Sequence, residues 1–161
     1  RVVDLGPFKH RVDDALPLRK AAITCLDTVL DRAEDVVDGH AMLRRLVVNL
    51  KDLPSAAVLA HQLLGKLAAR QAWHRRIAAA AHPIAKALQH NLNLLSKKGG
   101  PTAEETDAVR SAIRTLQVLI TSIPSLADDT NIATLLSAVK ANPSAAAILA
   151  SIRESTAAML T

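Results

Sequence analysis

Aromatic side chains are almost missing from this sequence: 161 residues hold one phenylalanine, one tryptophan and no tyrosine. A core built without them must be made of Leu, Ile, Val and Ala, which lets helices approach closely but supplies few large anchors. Cysteine occurs once, at Cys25, so an internal disulfide and a cysteine-based zinc site are both excluded. A lone thiol fits a reducing compartment. Five glycines and seven prolines are too few for a disordered chain or a many-turned β fold. No apolar run reaches the roughly eighteen residues that a membrane-spanning helix needs, so no membrane contact is expected. A secretory signal pattern is missing too. So are a G-x-S-x-G elbow, a P-loop and a dinucleotide fingerprint, and with them any pointer to catalysis or a cofactor. The first residue is not Met and the chain opens inside a β-prone run, which reads as a fragment of something longer.

What is present is half apolar, with a formal charge of +5. Residues 2–5 and 8–12 are short β-prone runs joined at Gly6-Pro7, a turn pair, and Phe8 beside them is the lone Phe. An aromatic on a short non-helical segment is a contact device. The remainder reads as helix. Asp13-Asp14 precede a first helix with Pro17 in its opening turn, where carboxylates favour the helix dipole. Its apolar stripe is Leu18, Ala22, Cys25, Leu26, Val29 and Leu30, which places Cys25 in the core. After a break at 37–39, a second helix turns Met42, Leu43, Leu46, Val47 and Leu50 inward. Leu53-Pro54 opens a third, with Leu59, Leu63, Leu64 and Leu67 inward. A fourth runs from about 72 to 95 and is ended or kinked by Pro83. The stretch 96–101 is a loop, and Thr102 and Glu105 form a capping box for a fifth helix. That helix buries Val109, Ala112, Ile113, Leu116 and Ile120 and stops before Pro124. A sixth spans about 131–141, and Asn142-Pro143 starts a seventh that ends near Glu154.

Leu16-Pro17 and Leu53-Pro54 lie 37 residues apart. That interval suits stacked antiparallel helix pairs. The expected fold is therefore all-α: a HEAT-like, armadillo-type helical repeat solenoid of about three pairs plus a final helix, with an N-terminal β-hairpin. A plain helical bundle is the rival. The expected divisions are a hairpin arm at 1–14, a repeat segment at 15–156 and a tail at 157–161. In a fragment of a solenoid, the first pair should also expose an apolar face that upstream repeats would cover.

Charge is unevenly spread. From 53 to 103 no Asp or Glu occurs, while Lys66, Arg70, Arg75, Arg76, Lys86, Lys97 and Lys98 do, with His61, His74, His82 and His90. Such a span fits a basic face for an acidic protein or nucleic acid. The favoured readings are a solvated surface, balanced by acids on neighbouring helices or elsewhere in a longer protein, and an acidic protein partner. Single-strand binders interleave aromatics for base stacking, and here only Trp73 is available. A single Trp near a helix start reads as a packing anchor. The histidines lack the spacing of a metal site.

The run from Val3 to Asp14, containing G-P-F-K-H-R-V-D-D, is followed by Leu18-Arg19-Lys20-Ala21-Ala22. It resembles the C-terminal region of the cullin-associated and neddylation-dissociated proteins, the TATA-binding-protein-interacting (TIP) domain. Leu53-Pro54-Ser55-Ala56 and Asn142-Pro143 with Ala146, Ile148 and Ile152 resemble helix openings of that family. Ala15 stands where the family has Gly, and Pro17 replaces a polar residue. The resemblance implies a non-catalytic solenoid that wraps an unneddylated cullin bound to its RING subunit. Members promote substrate-receptor exchange, with a β-hairpin that competes with the adaptor at the cullin N-terminal region. It further implies a cytoplasmic and nuclear protein without a cofactor. The hairpin falls on Val2 to Val12, with Leu5, Gly6, Pro7, Phe8, Lys9, His10 and Arg11 as its partner-binding residues: Gly6-Pro7 the turn, Phe8 the apolar contact, and Lys9, His10 and Arg11 the polar flank. The alternative is a basic helical domain that binds nucleic acid or a transcription factor through residues 66–98, using Lys66, Arg70, Arg75, Arg76 and Lys86.

Overall fold

The computed structural model describes residues 2–4, 9–11 and 13–158. Two three-residue strands, β1 (Val2–Asp4) and β2 (Lys9–Arg11), pair antiparallel, with Val2 opposite Arg11, Val3 opposite His10 and Asp4 opposite Lys9. The expected turn and contact residues Leu5, Gly6, Pro7 and Phe8 lie outside the described residues. From Asp13 onward the chain is helical: α1 (Leu16–Arg32), α2 (Gly39–Asn49), α3 (Pro54–Ala68), α4 (Gln71–Ala79), α5 (Ala81–Leu92), α6 (Ala103–Ser122), α7 (Thr130–Ala141) and α8 (Pro143–Ala158).

Local chemistry sets most boundaries. Asp38 accepts the amides of His40 and Ala41 at the start of α2, and Asp129 those of Asn131 and Ile132 at the start of α7. Thr102 and Glu105 form the expected reciprocal box before α6. Gly99 and Gly100 both take positive φ, at 87° and 81°, and turn the chain into it. Asn142 accepts the amide of Ala145 as α8 begins. The expected fourth helix is two: α4 stops at Ala79 and α5 starts at Ala81. Pro83 has no N–H to give and its ring crowds the carbonyl four residues back, that of Ala79, so the break falls just upstream of the proline. The last helix runs on to Ala158, past the expected end near Glu154, with Ser155 and Thr156 bonding back to the carbonyls of Ser151 and Ile152.

The helices stack in two layers. In one, α3 packs on α1, α6 on α3 and α8 on α6; in the other, α2 packs on α4 and α5, and α5 on α7. Links between layers join α2 to α3, α3 to α4, α5 to α6 and α7 to α8. Each helix thus touches its neighbours along the stack, as a helical repeat requires. Small residues are frequent in the interior of α3 and α6: Ala56, Ala57, Ala60, Ala108 and Ala112 are all buried. They let neighbouring backbones close up, while Leu64, Leu67, Ile113, Leu116 and Leu119 fill the core between helices. No described helix is by itself long and apolar enough to cross a membrane. The consecutive α7 and α8 are apolar together but turn by 103° between them, burying Leu135, Val139, Leu149 and Ile152 in the core.

The first helix departs from expectation. Ile23 and Leu30 are its buried residues, with Leu16 and Leu26 packed beside them. Leu18 is 73% exposed, and Ala22 and Cys25 are exposed too. Cys25 is therefore not a core residue. The apolar surface of α1 is wider than the face that α3 covers, and the 18–22–25 edge faces outward.

Two substitutions separate the covered face from the open one. Leu64→Ala should cost about 2–5 kcal/mol. Leu18→Ala should stay within about 0.5 kcal/mol. Urea midpoints measure both, and native Cys25 should react with a thiol reagent nearly as fast as in denatured chain.

Candidate partner-binding surface

The strand pair leads into the helices through Asp13, and one arginine anchors that junction. Arg19, in the first turns of α1, donates from Nε to Asp52 Oδ2 at 2.6 Å and from Nη2 to Asp52 Oδ1 at 2.9 Å. The same guanidinium reaches Asp13, with Nη2 to Oδ2 at 2.8 Å and Nη1 to Oδ1 at 3.2 Å. Asp13 also accepts the amide of Ala15, and Asp52 that of Leu53. Only a planar fork can hold two carboxylates in this way, so a lysine would not replace it. The hydrogen bond from Arg19 keeps both Asp13 and Asp52 below the usual carboxylate range and raises Arg19 in turn. Asp13 is therefore a partner of Arg19 more than a neighbour of the helix dipole. The clamp ties the exit of β2 to α1 and to the turn before α3. Of the expected hairpin residues, Lys9, His10 and Arg11 form β2, and the others lie outside the described residues.

The expected basic face is divided. Lys66 is 2.7 Å from Asp27 and 2.5 Å from Asp31. Arg70 binds Asp31 at 2.7 Å, Glu34 at 2.9 Å and the carbonyl of Leu30. The Trp73 indole N–H donates to the other oxygen of Glu34. Lys66 and Arg70 stand one turn apart on α3 and its end, opposite acids at 27, 31 and 34 that share a stripe on and just after α1. Neighbouring acids thus neutralise part of the span, and these two residues leave the candidate face. The hydrogen bond to Asp27, and after it the one to Asp31, raises Lys66, and the bond from Lys66 lowers Asp31.

Arg75, Arg76 and Lys86 are exposed and form no ion pair among the described residues. Arg76 lies over the Trp73 ring, 5.6 Å from its centroid, and donates to the carbonyl of Ala72. Trp73 itself is buried, the packing anchor that was expected. A Cβ on Gly39 would sit 3.0 Å from Arg76 Nε and 3.2 Å from the Trp73 ring. Glycine there lets the start of α2 close onto this pair.

His61 does not belong to the basic face at all. It is fully buried on α3, and its Nε2 lies 3.1 Å from the carbonyl of Leu50, the C-cap of α2. Asn91 on α5 donates to the same oxygen at 2.8 Å and to Ala87 at 3.1 Å. Thr115 on α6 donates to the carbonyl of His61 at 3.1 Å. The ring is thus the Nε2–H tautomer, with Nδ1 buried and unpartnered. Burial pushes its pKa down to about 4. His74 bonds the carbonyl of Ala68 and His82 the side chain of Asn131. Among the described residues no three or more His, Cys, Asp or Glu side chains converge on a metal position. Sequence patterning misses Arg19–Asp52 and His61–Leu50–Asn91 because their partners are far apart along the chain.

A family model described as TATA-binding protein interacting (TIP20) matches residues 1–140. Cullin-associated NEDD8-dissociated protein 1 of Dictyostelium discoideum is 34% identical over 128 residues, covering 78% of this chain and 10% of the relative. Cullin-associated NEDD8-dissociated protein 2 of Rattus norvegicus is 29% identical over 160 residues, covering 98% and 12%. The Arabidopsis thaliana protein 1 is 32% identical over 123 residues, covering 74% and 10%. The chain therefore spans about a tenth of the length of these curated relatives. No solved structure matches it.

The buried imidazole makes stability depend on pH. The unfolded ring takes a proton near its ordinary value of 6.5, while the folded ring resists until about 4. The contribution of this ring to stability is complete above pH 6.5 and is lost as pH drops toward 4, by on the order of 3 kcal/mol. His61→Gln keeps a donor for Leu50 and removes the titration. Between pH 6.5 and about 5, above the carboxylate range, its urea midpoint should fall much less than that of the parent; parallel slopes there would refute the assignment.

Proposed function

Because the chain belongs to the TATA-binding protein interacting (TIP20) family, as a TIP domain of the cullin-associated NEDD8-dissociated type, we propose that it is a non-catalytic cullin-binding module. In this reading it regulates cullin-RING ubiquitin ligase assembly in the cytoplasm and nucleus. It binds an unneddylated cullin with its RING subunit and promotes substrate-receptor exchange by competing with the adaptor at the cullin N-terminal region. The observation that carries the reading is the family match from residue 1 onward. That span includes the G-P-F-K-H-R-V-D-D run on the arm. The relatives are named as cullin-associated.

The arm supplies the contact and the helices hold it. Phe8 is the apolar anchor and Lys9, His10 and Arg11 are its polar flank. Single buried aromatics carry a large share of interface energy. Fixing the base of such an arm lowers the ordering cost of binding. The Asp13–Arg19–Asp52 clamp supports the reading because it secures that base. The nucleic-acid alternative through 66–98 is weakened: Lys66 and Arg70 are engaged by acids, and Trp73 is buried where no base can stack on it.

Phe8→Ala should weaken capture of a cullin–RING pair at least about tenfold, with helicity unchanged by circular dichroism. Arg19→Ala should weaken it less, and Arg19→Lys should not restore it, since a lysine lacks the fork. Full binding by Phe8→Ala would overturn the role of the arm.

A further inference from the structure

The two layers differ in charge. The helices α2, α4, α5 and α7 contain no Asp or Glu, yet carry Arg44, Arg45, Arg75, Arg76, Lys86 and Lys140. All six are exposed. The acids within helices sit in the opposite layer, on α1, α6 and α8, where those on α1 engage Lys66 and Arg70. The basic excess of the chain is therefore concentrated on one side of the stack.

A groove of about 310 Å³ opens in that layer, between α2 and the α4–α5 break. Leu43, Val47 and Pro83 contribute apolar surface, and His40, Arg44 and Arg76 stand on its wall. Arg76 is held in place by the Trp73 ring beneath it and by the start of α2 at Gly39. Lys86 is exposed one turn beyond Pro83 on α5, within a long side chain's reach of the groove's edge. The nearest acid along α2, Asp38, spends Oδ1 on the amides of His40 and Ala41.

We propose that this groove docks an acidic polypeptide segment, which places an aliphatic side chain on the Leu43–Val47–Pro83 floor and its carboxylates against Arg44, Arg76 and Lys86. The apolar floor distinguishes a peptide from a nucleic acid: a phosphate backbone has nothing to put there, and the layer offers no exposed aromatic for a base. The pre-set guanidinium of Arg76 matches a carboxylate fork-to-fork. The proposal does not rest on the arm, which uses other residues.

The test is fluorescence anisotropy of a labelled Glu-rich peptide carrying one Leu, titrated with the whole chain. Arg44→Glu/Arg76→Glu should weaken binding about tenfold or more. Arg76 also packs on Trp73, so Arg44→Glu/Lys86→Glu, which disturbs no buried group, should show the same loss with unchanged circular dichroism. Lys98→Glu/Arg114→Glu makes the same charge change away from the groove and should have little effect. Replacing the peptide Leu by Ser should also weaken binding, and Phe8→Ala should leave it intact. Equal loss in the control pair, or indifference to the Leu, would overturn the groove. A DNA duplex that binds more tightly and displaces the peptide would overturn the choice of partner.

Discussion

One buried carbonyl organises much of the stack. The last carbonyls of a helix have no partner within it, and water normally satisfies them. At the end of α2, Leu50 is completely buried, so its oxygen must find protein donors. His61 on α3 and Asn91 on α5 both supply one, and Thr115 on α6 bonds the backbone of His61 in turn. Four helices from both layers are thereby set against one another at a single polar point. Around it the side chains are small and aliphatic, and such a core gives little directional preference on its own. The polar point supplies direction. Its cost is a neutral imidazole with one nitrogen unpartnered.

That anchoring separates the duties of the two layers. The α1–α3 edge uses its charges internally: Asp27, Asp31 and Glu34 engage Lys66 and Arg70 and steady α1 against α3. Surface pairs of this kind add little stability individually, but a network fixes register. At the start of α1, Arg19 does a comparable task for the arm. The α2–α4–α5–α7 layer has no acids within its helices to spend in this way, so its cations remain directed outward. Internal pairing on one side and cations without an ion pair among the described residues on the other give the stack an electrostatic polarity that a bare count of net charge hides.

Legibility in the sequence follows the range of the interaction. Helix ends were readable because a proline, a capping box or a glycine pair acts within a few residues: Pro54, Pro83, Thr102 and Asn142 each mark a real boundary. Inner faces of α2, α3 and α6 were readable because neighbours cover each of those helices on more than one side. On α1 the same periodicity misplaced Cys25, since apolar spacing shows that a face is apolar and not whether another helix lies on it. His61 looked like surface charge because its partner, Leu50 O, is a backbone atom that leaves no mark in the sequence. The motif of the N-terminal segment is local and legible, whereas the clamp at its base joins residues 33 positions apart, Arg19 and Asp52. The charge run allows both a binding face and a balanced surface at Lys66 and Arg70, and only the fold decides, because the acids that engage them lie on and just after another helix.

The most local of these rules has the widest consequence. Had position 83 carried an ordinary residue, α4 and α5 could have continued as one rod along α2, with side chains closing the seam. Pro83 instead removes a donor and crowds the Ala79 carbonyl, so the chain yields at Ala80 and resumes at Ala81. The yielded turn is lined by Ala79, Ala80 and Pro83, which are too short to fill the space beside Leu43 and Val47. A groove is left where a regular repeat would have a packed seam. Its basic wall is separately determined, because Trp73 and Gly39 fix Arg76 at the rim. A backbone constraint thus opens the space and a packing constraint orients the charge, and neither depends on the other.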